Sequence, residues 1–193
     1  MRKKIENEII LGASLRVFSR YGYRKTTLED IAGELNMTAA GIYAYAESKR
    51  ELYEQTVCFA MQRWQNKVRQ SVDSEKTAND KFIVLCKSAL DYLAQDKEFY
   101  LLLKNDPSIF PMFPTVDPYE EINSASVGII AEVLALGIKT GEFRELDIRT
   151  VSELVFALYK SFIIHAYVQD EVQYVEKNLP QALDLIIHGI ERK

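Results

Sequence analysis

The sequence predicts an all-α protein with about nine helices, and three observations lead there. Apolar residues recur at i, i+3, i+4 and i+7 through most of the chain, the spacing of a single helix face. Eight glycines and five prolines are few for 193 residues, and four of the prolines crowd into positions 107–118. No stretch alternates apolar and polar residues as a half-buried strand requires, and no internal repeat is visible.

The elements follow in order. Residues 3–21 place Ile5, Ile9, Ala13, Val17, Phe18 and Tyr21 on one face, and Gly22 suits the C-cap. Thr26 and Thr27 each open a capping box, with Glu29 and Asp30 three residues on. The short helix they start carries Leu28, Ile31, Ala32 and Leu35, and Asn36 suits the left-handed stop. Thr38 caps a very short helix over 39–43. Ser48, with Glu51, caps a long one to about residue 72, striped by Tyr53, Val57, Ala60, Met61, Trp64 and Val68. The polar stretch SVDSEKTAND separates it from a helix near Asn79 that carries Phe82, Leu85, Cys86, Ala89 and Leu93. Asp96 caps KEFYLLLKN, and the proline-rich DPSIFPMFPTVDP is a loop. Asp117 caps the next helix, with Pro118 at its first position and Glu120 and Glu121 at its positive end. That helix reaches about Thr140, where Gly141 stops it. Asp147 caps an apolar helix to about residue 168, and a last helix runs to residue 191 with Pro180 expected to kink or restart it. The predicted domains are a head, 1–47, and a body, 48–193.

The net charge of −4 is unevenly spread. Residues 1–53 hold nine Lys and Arg against seven Asp and Glu, and the remainder holds 15 against 21. That sign suits a nucleic-acid-binding head on an acidic body. Cys58 and Cys86 make neither a disulfide framework nor a metal cluster, which points to a reducing, cytoplasmic compartment. They read as small buried hydrophobes. The amino terminus lacks the apolar core of a signal peptide, and no unbroken apolar run approaches the ~18 residues of a membrane span, so no membrane partner is expected. Nucleophile elbow, HExxH, phosphate loop and dinucleotide-binding glycine patterns are all missing. The expectation is a non-enzyme with no catalytic residue, metal or cofactor. The competing classes are an all-α enzyme that relies on carboxylates and a module whose head binds a protein.

A short amphipathic helix, a tight turn and a small-residue helix make the pattern of a helix-turn-helix. The segments TTLEDIAGEL (26–35), MTAAGIYAYA (37–46) and SKREL (48–52), within a three-helix head, a long connecting helix and a helical body, resemble the TetR family of bacterial transcriptional repressors. The resemblance covers roughly residues 5–52, with GEFRELD (141–147) a family-like turn in the body. Ala46 departs from it, since the family usually has Phe there.

A helix entering the major groove must present short side chains so that its backbone approaches the base edges, and Thr38-Ala39-Ala40-Gly41 does so. The resemblance implies that Thr27, Thr38, Tyr43, Tyr45 and Lys49 meet the phosphate backbone of a double-stranded operator. It gives Ala39, Ala40 and Gly41 the base-reading surface. The segment has no Arg, Asn or Gln, the usual bidentate base readers. Specificity is then left to methyl contacts, to Lys25 or to DNA shape. The same Thr27 and Thr38 would cap helices without any DNA.

The resemblance also implies a small-molecule pocket in the body. Trp64, Phe82, Cys86, Phe99, Tyr100, Leu103, Phe110, Phe113, Phe156, Tyr159 and Phe162 are its candidate lining, or else plain core. His165 is a candidate for a polar head, and the proline-rich loop for a rim. The effector expected is apolar or amphipathic. The last two helices are apolar on more than one face, as LVFALYKSFIIHAYV and ALDLIIHGI show. Such helices need burial on both sides, so a homodimer through them is expected, as in the family.

Overall fold

A computed structural model describes residues 6–112 and 116–192; Ile5 and Phe113 lie outside the described residues. Nine α-helices are present among those residues: α1 (Asn7–Lys25), α2 (Leu28–Glu34), α3 (Ala39–Ile42), α4 (Lys49–Ser74), α5 (Ala78–Gln95), α6 (Lys97–Asn105), α7 (Glu120–Thr140), α8 (Ile148–Ile163) and α9 (Val172–Ile190). A 3-10 turn (Pro107–Ile109) follows α6, and a π-helical turn (Ile164–Val168) extends α8. The described residues contain no strand, only an isolated bridge between Phe143 and Glu191.

Local chemistry sets most boundaries. Thr27 closes a full capping box with Asp30, while Ser48, Thr77, Asp96 and Asp147 each accept a first-turn N–H with the side chain. Gly141 ends α7 in the left-handed region at φ 79°, and Asn36 takes φ 53° after α2.

Four sequence expectations need correction. Thr26 does not start α2; it is buried and donates its hydroxyl to the Gly22 carbonyl at 2.9 Å, closing α1. Thr38 precedes α3 without a side-chain cap bond. Asp117 does not cap α7. Its carboxylate accepts from the Tyr119 N–H and the Asn123 side chain, and the helix begins at Glu120. Pro180 sits inside α9 and does not restart it.

The head helix α1 packs on α4 and α6, and α4 packs on α5. Glu120–Thr140 and Ile148–Val168 are long and apolar enough to cross a membrane by length and composition, which a search for unbroken apolar runs did not reveal. Packing takes up part of that apolar surface: α7 lies on α4, α5 and α8, and α7 and α8 both border the body cavity, while 33% and 39% of the two stretches are buried. One apolar core runs through head and body, from Ile10 and Phe18 through Trp64 to Leu183.

Candidate DNA-contact surface and body cavity

The recognition segment is anchored by one side chain. Ile42 is fully buried, so the short α3 turns Thr38, Ala40, Tyr43 and Ala44 outward. Tyr43 is 57% exposed. Ala39 and Gly41 are half-buried, and a Cβ on Gly41 would meet the end of the Met37 side chain at 2.6 Å and the Thr38 hydroxyl at 3.8 Å. Lys25 is exposed at the end of α1.

Other predicted contacts are already engaged. The Thr27 hydroxyl donates to the Asp30 carboxylate at 2.8 Å, and that carboxylate also takes the Thr27 N–H. These bonds hold the Asp30 carboxyl below its usual range. The Lys49 ammonium donates to the carbonyls of Tyr23 (3.0 Å) and Thr26 (2.9 Å) and stands 4.6 Å from the Tyr23 ring centre. Lys49 therefore satisfies the carboxyl end of α1, a role its place in the sequence did not suggest. Tyr45 is half-buried beside a shallow groove with Asn7, Leu11, Gln55, Cys58, Phe59 and Gln62.

The head meets the body through a polar joint. Asn105 at the end of α6 donates to the Ser19 carbonyl of α1 at 2.8 Å. Tyr53 of α4 donates to the Asp106 carboxylate at 2.7 Å, and its ring packs on Phe18 and Tyr23. Burial, and then Asp106, push the Tyr53 phenol far above its ordinary range. The sequence reading named none of Asn105, Asp106 or Tyr53 as functional.

A cavity of about 60 Å³ lies between α4, α5, α7, α8 and α9. Of the predicted lining, Trp64, Cys86, Phe156, Tyr159 and Phe162 border it. The others are placed elsewhere. Phe82 packs edge-on against Phe143, Phe99 and Phe110 pack on Trp64, and Leu103 is buried core. Tyr100 is half-buried and bonds Asp170 with Lys104. His165 pairs with Glu171 at 2.8 Å and stacks on Tyr174, outside the cavity. Aromatic residues at helical spacing cannot by themselves tell core from cavity wall, which is why the sequence left both readings open for them.

Gln65 and Ser126 complete the polar border of the cavity, and sequence reasoning passed over both. Gln65 donates to the Ile122 carbonyl and the Ser126 hydroxyl. Burial alone pushes the Cys86 thiol up to about 12, and burial with nearby Glu54 and Glu121 raises Cys58. Neither is a ready nucleophile. No group of three or more His, Cys, Asp or Glu able to hold a metal occurs among the described residues.

Comparisons with known proteins place these features. Residues 10–56 match the family described as bacterial regulatory proteins, tetR family. The chain is also 38% identical over 72 residues to the biofilm operon icaADBC HTH-type negative transcriptional regulator IcaR of Staphylococcus aureus. That match takes in 34% of this chain and 39% of IcaR, so the chain covers well under half of that relative. A TetR transcription regulator from Haloarcula marismortui superposes with TM-score 0.80 at 17% identity, over 96% of this chain and 98% of that one. FadR from Bacillus subtilis, solved with stearoyl-CoA, gives TM-score 0.73 at 19% identity, over 96% and 100%. The solved structures share the fold from end to end, and the sequence match falls on the helix-turn-helix. Through that head, the chain is similar to the tetR family of bacterial regulatory proteins.

Proposed function

We propose that this chain is a dimeric transcriptional repressor, released from a palindromic operator when a small apolar or amphipathic molecule enters the body. It acts without catalysis, as a cytoplasmic protein with a DNA-binding head (1–47) and a ligand-binding and dimerisation body (48–193). The observation that carries the reading is the outward face of α3. Small residues stand exposed there over a fully buried Ile42, inside the segment that matches the family.

Two features support the rest. Leu154 and Leu158 on α8 and Leu185 on α9 are 64%, 37% and 74% exposed. An apolar face on these two helices suits a second copy related by a two-fold axis. Helix α4 borders the cavity through Trp64, Gln65 and Val68 and reaches the head joint through Tyr53. A molecule that fits better when α4 is displaced would therefore shift the spacing of the two heads; equal affinity for both placements would shift nothing. The stearoyl-CoA in the name of the similar FadR is amphipathic, in keeping with this effector class.

Ala40→Asp tests the reading. A carboxylate on the groove-facing side of α3 repels phosphate and base acceptors. Operator affinity should fall by roughly 100-fold, about 3 kcal/mol, with helical content and Tm unchanged because Ala40 is exposed. Unchanged affinity would take α3 out of the groove.

A further inference from the structure

The chemistry of the cavity wall restricts what it can accept. None of its lining residues is Asp, Glu, Lys, Arg or His. A charged ligand group would lose its water there without a counter-charge to replace it. Most of the polar wall is already paired. The Trp64 indole N–H donates to the Ala89 carbonyl at 2.9 Å, and the Gln65 amide N–H groups are taken by Ile122 and Ser126. Tyr159 is the exception. Its hydroxyl is enclosed and has no hydrogen-bond partner among the described residues. An enclosed hydroxyl without a partner carries an unrelieved desolvation cost and calls for an explanation. Burial also raises the phenol well above its ordinary range, so it stays a neutral donor.

We propose that Tyr159 sets the effector class: a neutral, mainly hydrocarbon molecule with one acceptor oxygen (carbonyl, ether or hydroxyl) that accepts a hydrogen bond from the Tyr159 hydroxyl. Trp64, Phe156 and Phe162 provide the apolar surface for the remainder. The proposal rests on the reading of the cavity as the effector site and gives that site its specificity-determining residue. The cavity is smaller than the ~150 Å³ void that holds benzene in a well-studied engineered core, so a compact ring is the suitable probe.

Trp64 is the only tryptophan of the chain and its ring lies 5.7 Å from that of Tyr159, so its fluorescence reports occupancy. The full-length protein and Tyr159→Phe are titrated with cyclohexanone and with methylenecyclohexane, its near-isostere without the oxygen, and Tm is recorded alongside. The wild type should bind the ketone about tenfold more tightly, the equivalent of about 1.4 kcal/mol. Tyr159→Phe should bind both equally, and its unliganded Tm should not fall, because only an unpaired hydroxyl is lost. No ketone preference in the wild type, or a preference that survives Tyr159→Phe, overturns the proposal. So does tighter binding of choline than of neutral 3,3-dimethylbutan-1-ol, which would mean that the aromatic wall selects a cation. If none of the probes moves Trp64 fluorescence or Tm, the effector-site reading itself falls.

Discussion

Thr27, Lys49 and Gly137 show what single residues contribute and how far each was legible. Thr27 was readable because its partner is three residues away: the capping box is a local pattern. Thr27→Ala should cost about 1 kcal/mol of stability, measurable by urea denaturation. Lys49 was not readable, because its carbonyl partners lie 26 and 23 residues earlier and meet it only once α1 and α4 have packed. Gly137 is buried in α7, and a Cβ there would collide with the ring of buried Phe143. Gly137→Ala should therefore destabilise by about 1–3 kcal/mol, opposite to the usual gain in helix propensity. A rise in stability would show that Phe143 can move aside.

At the scale of elements, helix existence was legible and several boundaries were not. Apolar periodicity located most of the helices, because burial of one face acts along the entire length; the four-residue α3 was placed instead by its small residues and the threonine before it. The start of α7 escaped because Asp117 turned its carboxylate to Tyr119 and Asn123, a choice that neighbouring structure makes. The start of α5 has a second support outside its own sequence. The Glu142 carboxylate, in the turn after α7, accepts from the Ala78 and Asn79 N–H groups at 3.1 Å each. Burial pushes this carboxyl up, but those two N–H groups and the Thr140 hydroxyl prevail and hold it below its ordinary value. A depressed carboxyl contributes stability that is fully present above its unfolded pKa, about 4.3. It is lost as pH falls through the lower folded value. The Tm difference between the wild type and Glu142→Ala should be largest near pH 7 and shrink below about pH 4. A difference independent of pH would place the role of Glu142 in packing rather than charge.

Across the whole molecule, the likeness to the tetR family was legible in the first fifty or so residues, and the site in the body only in part. The helix-turn-helix is a local pattern with strict spacing, so pattern and fold agree there. The cavity is assembled from five helices remote in sequence, and aromatic side chains serve core and cavity equally well. That is why the sequence left Phe82, Phe99 and Phe110 as either cavity wall or core, of which the structure places them in the core, and why Gln65 and Ser126 were passed over. The exposed leucines of α8 and α9 carry a further expectation. Leu185→Glu should shift the protein from dimer to monomer in sedimentation and weaken operator binding by at least tenfold, since two half-sites are then read by unlinked heads. An unchanged dimer would move the interface off α9.

The central claim is that two copies of α3 read successive major grooves of duplex DNA. It is tested most directly by selecting binding sites for the full-length protein from a random duplex pool and titrating the winner with salt, with Ala40→Asp as control. The expected result is a pair of inverted half-sites about 10–10.5 base pairs apart, centre to centre, or a multiple of that. Log affinity should fall linearly with log salt concentration, and the control should fail to enrich the site. Failure of the wild type to enrich any sequence, or an affinity indifferent to salt, would contradict the account.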